Sequence, residues 1–167
     1  MARQLWLLRH AEAEPHGARA DAQRRLTERG ERQARAAGAA LARLDADFDA
    51  VLFSPKARAR QTAELAAEAW SAEQRALLSA HPPLAEGFEA TQALAELAAV
   101  GPDGRLLLVG HEPDLSRIAG ELSGGRLDLK KGGLAVLRLE GSRGDLVALL
   151  RPRELALIAD AVPVGGH

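Results

Sequence analysis

The 167-residue sequence contains no cysteine. Disulfides, thiolate nucleophiles and thiolate metal sites are therefore excluded. It also lacks any apolar run of membrane-spanning length. Charge of one sign is missing as well, because 22 Lys and Arg face 23 Asp and Glu, for a formal net charge of −1. A balanced chain has no global attraction for nucleic acid or an anionic membrane, so any recognition of phosphate must be local. The N-terminal segment has no small-residue cleavage site after its short apolar run, so a cytoplasmic protein without a signal peptide is expected. Neither an internal repeat nor a linker-like stretch breaks the chain, and its length suits one domain over residues 1–167.

What is present is a hydrophobic fraction of 47%, arranged as short apolar runs alternating with helical patterns. Gln4–Leu8 reads as a strand buried on both faces. Residues 10–26 are polar and read as a loop. Thr27 is placed to cap a helix reaching about Leu44, with Ala34, Ala37, Leu41 and Leu44 on its inner face. Phe48–Phe53 is a second strand. Ser54-Pro55 then resembles a helix start, serine as N-cap and proline at the first helical position, for a helix to about Trp70 with Thr62, Leu65 and Ala69 inward. Arg75–Leu78 is a candidate short strand before the His81-Pro82-Pro83 break. A helix is expected over Thr91–Val100, a strand over Arg105–Val109, a helix over Glu112–Leu122, and two strands over Gly133–Leu139 and Asp145–Leu150. This alternation predicts an α/β fold, a three-layer α/β/α sandwich with a mostly parallel central sheet. Trp6 and Trp70 read as core residues, His81 as loop, and His167 as terminal.

Ligands of such sheets bind beyond the carboxyl ends of the strands. Three of those ends carry chemistry: Arg9-His10, Ser54-Pro55 with Arg58 one helical turn on, and Gly110-His111. Arginine matches phosphate oxygens with a planar fork of donors, and neutral histidine is a nitrogen nucleophile. His10, Glu12, Glu14 and His16 have no zinc-site spacing and read as solvated loop charges. His111-Glu112 lacks the second histidine of an H-E-x-x-H metalloprotease pair.

Four segments together, L-L-R-H-A-E at 7–12, L-T-E-R-G at 26–30, S-P-K-A-R-A-R-Q-T at 54–62 and V-G-H-E-P at 109–113, resemble the histidine phosphatase superfamily, the phosphoglycerate-mutase-like enzymes, and most of all its SixA-type phosphohistidine phosphatase branch. The resemblance implies that His10 attacks phosphorus and becomes a transient phosphohistidine. It implies that Arg9 and Arg58 hold the non-bridging oxygens and that His111 donates to them as imidazolium. Ser54 is read as a helix cap. No metal or other cofactor is implied. Leu84-Ala85-Glu86 resembles the position of a leaving-group acid in other members, which makes Glu86 a candidate general acid. The stretch between Ser54 and His111 has no room for a large helical lid, so an open site is expected. The implied substrate is a phosphorylated protein carrying phosphohistidine. A small phosphate ester of a sugar or nucleotide, and a non-catalytic phosphate-binding module, are the alternatives.

Overall fold

The computed structural model describes residues 2–162. Among them, β1 (Arg3–Arg9), β2 (Ala50–Phe53), β3 (Leu78–Ala80), β4 (Arg105–Gly110), β5 (Leu134–Glu140) and β6 (Arg143–Leu150) form one sheet in the order β3-β2-β4-β1-β5-β6. The pairs β2–β3, β2–β4 and β1–β4 are parallel, and β5 runs antiparallel to both β1 and β6, so only β5 is reversed.

The apolar runs are uninterrupted because the sheet is covered on both faces. Trp6, Leu8, Val51, Phe53, Leu107 and Val109 turn to one side, where α1 (Glu28–Arg43), α2 (Ala57–Ala67) and α6 (Pro152–Asp160) pack on them through Ala37, Leu41, Ala63, Ala66 and Leu155. Leu5, Leu7, Leu106 and Leu108 turn to the other side, against α4 (Ala90–Ala99) and α5 (Asp114–Ser123). This is the expected three-layer sandwich. Trp6 and Trp70 are both buried. The alanine-rich faces let α1 and α2 approach closely: a Cβ on Gly38 would collide with the backbone of Ala66. Among the described residues, no helix is long and apolar enough to cross a membrane.

Several elements differ from the sequence reading. The helix expected from Ser54 starts at Ala57, with Lys56 as its N-cap and no side-chain cap bond. The Ser54 hydroxyl is engaged elsewhere, as described below. That helix ends at Ala67, which leaves Ala69 exposed. Leu44 is the C-cap of α1 and is also exposed. Residues 72–75 are a turn of helix, α3 (Ala72–Arg75), because Ser71 accepts a hydrogen bond from the Gln74 backbone at 3.2 Å. The strand begins later, at Leu78. α6 was not anticipated. His167 lies outside the described residues.

Candidate active site

Strand register delivers the site. Arg9 pairs with Gly110, and Phe53 with Val109. The ladder continues one step past the strands: the His10 backbone N–H donates to Gly110 O at 3.0 Å, and the Ser54 N–H to Val109 O at 2.9 Å. Arg9-His10, Ser54 and His111 therefore leave three adjacent parallel strands in the same row. α2 adds Arg58 from the next turn. The loop after β1 is clamped onto the start of α1. Thr27 caps that helix through Gly30 N at 3.0 Å and donates to a Glu12 carboxylate oxygen at 2.9 Å. A Cβ on Gly30 would collide with the Glu12 carbonyl. Those contacts give the L-T-E-R-G segment its physical sense: threonine for the cap, glycine for the close approach.

Arg9, His10, Arg58 and His111 line one cavity of about 210 Å³, together with Ala13, Glu14, Pro15, His16, Arg24, Glu112 and Lys131. The two histidine rings stand 5.2 Å apart between centroids. Among the described residues, α3, β3 and α4 contribute nothing to the lining. Glu86 is exposed and does not line the cavity. Also among the described residues, no group of three or more His, Asp and Glu side chains is arranged to hold a metal ion.

Each ring and guanidinium is held from outside the cavity. His10 Nδ1 donates to Ala11 O at 2.8 Å, which leaves Nε2 with its lone pair. The Ala11 N–H in turn donates to Thr62 Oγ1 at 3.1 Å, and that hydroxyl donates to Arg58 O at 2.7 Å. Thr62 is fully buried and couples the nucleophile candidate to the helix that carries Arg58. His111 Nε2 and Ser54 Oγ are 2.7 Å apart, while the Lys56 N–H donates to the same Oγ at 3.3 Å. Arg9 Nη1 donates to Leu129 O at 2.9 Å, and Arg58 Nη1 to Asp21 O at 2.8 Å. What these contacts leave over is informative. Among the described residues, the buried side-chain nitrogen or oxygen atoms without a partner are Arg9 Nε, Arg58 Nε and His111 Nδ1. All three belong to residues that line the cavity. Buried polar groups are almost always paired, so three unpaired nitrogens on residues of one cavity mark this region as built for something besides packing.

Burial pulls the His10 pKa down to about 3, helped by His111, Arg58 and Arg9 and opposed by its bond to Ala11. Burial also pulls His111 down to about 4, helped by Arg58 and Lys56 and opposed by Asp21 and Asp114. Without an anion the His111 ring is thus neutral at pH 7, chiefly because it is buried and further because Arg58 and Lys56 stand near it. Burial likewise lowers the pKa of Arg9 and of Arg58, with Glu112 and Asp128 opposing this at Arg9 and Asp21 at Arg58. Guanidinium groups nonetheless remain charged at neutral pH.

Residues 5–86 match the family model of the histidine phosphatase superfamily, branch 1. The chain belongs to the histidine phosphatase superfamily. An uncharacterized protein of Picosynechococcus sp. is 35% identical over 151 residues, covering 84% of this chain and 87% of that one. The SixA protein histidine phosphatase solved with tungstate superposes at a TM-score of 0.79 with 23% identity, covering 91% of this chain and 99% of that chain. A SixA structure from Nakamurella multipartitia does so at 0.75 with 29% identity, covering 91% and 97%. These likenesses support a place in the SixA-type branch of the superfamily.

Sequence reading missed most of the cavity's rim. Arg24, Glu14, His16 and Lys131 line it, although the loop after His10 was read as solvated. For Glu14 and His16 a signal was available in their nearness to Arg9-His10; Arg24 and Lys131 had none. Thr62 was read as an inward helix residue, without its bond to the Ala11 peptide.

Proposed function

We propose that this chain is a metal-independent phosphatase that moves a phosphoryl group through a phosphohistidine on His10, with protein phosphohistidine as its substrate and the cytoplasm as its location. The observation that supports this most is the trio of unpartnered nitrogens on Arg9, Arg58 and His111, beside a histidine whose Nε2 carries a lone pair. In the first step Nε2 forms a bond to phosphorus while the bond between phosphorus and the substrate imidazole breaks. That imidazole keeps the electron pair and leaves neutral if its other nitrogen is protonated. In the second step water attacks phosphorus, the bond to Nε2 breaks, and the water proton passes to phosphate or solvent. Phosphoryl transfer asks for positioning and for stabilisation of charge on the equatorial oxygens. Arg9, Arg58 and His111 supply both, and loss of one such donor commonly costs about 10²–10³ in rate.

The substrate assignment rests on the leaving group and the opening. An alkoxide needs an acid, whereas a phosphorylated imidazole does not, and Glu86 has no part in this reading. Among the described residues no large helical insertion covers the cavity, which suits a group presented on a protein surface. The test compares wild type and His10→Gln on a phosphohistidine peptide, a panel of sugar and nucleotide phosphates, and an aryl phosphate, with and without EDTA. Peptide activity far above the panel, retained in EDTA and lost in the variant, is expected. The reverse preference makes the protein a small-molecule phosphomonoesterase. Unchanged hydrolysis by His10→Gln overturns the nucleophile, and an enzyme inert on every substrate is a phosphate-binding module.

A further inference from the structure

Against two of the cavity's arginines lies a carboxylate that the phosphoryl chemistry does not call for. Asp21 starts a short 3-10 helix, Asp21–Gln23, and its side chain is about half exposed, yet it touches three cations. Its Oδ1 accepts from Arg24 Nε at 3.2 Å and Nη2 at 3.1 Å. Its Oδ2 accepts from Lys56 Nζ at 3.0 Å and from Arg58 Nη2 at 3.3 Å. Arg24 and Arg58 line the cavity, and Asp21 does not. Lys56 foremost, then Arg24 and Arg58, hold the carboxyl well below the usual carboxylate range, so it is ionised at any working pH.

A tether for Arg58 is the obvious role, but the side chain is poorly suited to it. The Asp21 backbone carbonyl already fixes Arg58 Nη1 at 2.8 Å, closer than the carboxylate contact at 3.3 Å. What the carboxylate adds is negative charge next to two of the cavity's arginines. The product of the proposed reaction is inorganic phosphate, held by Arg9, Arg58 and a rim that includes Arg24 and Lys131. A site built to stabilise the transferring group also binds this product, and release of product limits turnover in many enzymes. We infer that the Asp21 carboxylate is a fixed counter-charge that weakens the hold of Arg58 and Arg24 on phosphate and so speeds its release, a role that presupposes the phosphatase reading above.

Asp21→Asn tests this. The amide keeps the size, the backbone carbonyl and one side-chain acceptor, and it removes the charge. Calorimetric titration with inorganic phosphate, inhibition by phosphate, and the kcat and KM for an aryl phosphate are the readouts. A carboxylate and a phosphate dianion on opposite sides of one guanidinium change an affinity by roughly fivefold even in water. Phosphate should therefore bind the variant about fivefold more tightly or better at low salt, and the gap should shrink as salt is raised. KM and kcat should fall together. Asp21→Ala should shift phosphate affinity in the same direction. If Asp21 merely positions Arg58, both variants bind phosphate more weakly and KM rises. That result, or no change in an active enzyme, overturns the counter-charge alone. A wild-type protein that neither binds nor hydrolyses phosphate overturns the phosphatase reading and the counter-charge with it.

Discussion

Acidifying the empty protein from pH 7 to pH 5 should cost it several kcal/mol of stability through two side chains. His10 and His111 are both buried, at 6% and 7% exposure. Their pKa values fall from the ordinary 6.5 to about 3 and about 4. Both are therefore lower in the folded than in the unfolded chain, so between those limits the unfolded chain binds more protons and stability rises with pH. The contribution is complete above about 6.5 and is lost progressively as pH falls toward 4 and then 3. At pH 5 an unfolded histidine is almost fully protonated while each folded ring is still mostly neutral, which amounts to about 2 kcal/mol lost per histidine relative to pH 7. The pair together cost roughly 3–4 kcal/mol, a large share of the 5–15 kcal/mol by which domains are usually stable. Carboxylates such as Asp21, held low by Lys56, Arg24 and Arg58, lose their contribution only at more acid pH, so this window belongs to the histidines. Urea denaturation at pH 5, 6 and 7 in phosphate-free buffer measures the slope. The double variant His10→Gln, His111→Gln should lose most of it. Added phosphate should recover stability at pH 5, because it binds only the folded state. A wild-type loss below about 1 kcal/mol across this range, or an unchanged slope in the double variant, would show that the rings are not held neutral by burial.

Ser54→Ala should leave His111 Nε2 buried without its partner, lowering stability by about 1–3 kcal/mol. It should also reduce kcat/KM by at least tenfold, while ¹⁵N shifts of His111 report a changed mixture of tautomers. Thr62→Val should leave the Ala11 N–H unpaired at a similar cost of roughly 1–3 kcal/mol. There kcat should fall with KM nearly unchanged, since the ring that Ala11 O holds is displaced and the arginines are not; a rise in KM alone would contradict this. Gly30→Ala should destabilise by about 1–3 kcal/mol, as an added methyl in a closed contact does. Thermal melts together with the activity of the surviving fold would show whether the Glu12 loop has moved.

The legible parts of this sequence are those with a period or a strand end. β1 and β4 are apolar on every residue that the two cores need, and their last residues are the ones that carry Arg9-His10 and Gly110-His111. Convergence could be read because neighbouring parallel strands end in one row. The start of α2 could not, since Ser54-Pro55 satisfies the rules for a helix cap and only the folded chain shows the hydroxyl drawn to His111 instead. α6 escaped because its apolar stripe is thin, with Leu155 its one buried residue. Its start was still written in the sequence: Pro152 in the first turn, and Glu154 reaching back to the Arg151 N–H at 3.0 Å. Arg24 and Lys131 were invisible for another reason. A loop has no period, and a charge in it reads as solvated until the fold shows which way it faces.

Two identical side chains in one cavity can do opposite work only if something outside fixes their protons. At His10 a carbonyl does so: Ala11 O can only accept, so Nδ1 holds the proton and Nε2 the lone pair. At His111 the neighbour is a hydroxyl, which can donate or accept. Ser54 Oγ accepts the Lys56 N–H and keeps its own hydrogen and a second lone pair for His111 Nε2, 2.7 Å away; when the hydroxyl donates, the ring proton sits on Nδ1, the buried nitrogen left without a partner. One ring thus carries its lone pair on Nε2 and the other can carry its proton on Nδ1, both neutral. Neutrality matters beside Arg9, Arg24, Arg58 and Lys131, because a standing imidazolium would add a fifth cation to the lining of the anion-free cavity, and burial would penalise it. In the proposed reaction a positive charge is therefore not stored at His111 but arrives with the anion: a phosphoryl group next to Nδ1 favours the imidazolium only while it is there to be held. Burial first, and then Arg58 and Lys56, restrict the imidazolium that the family resemblance implies at His111 to the anion-bound state.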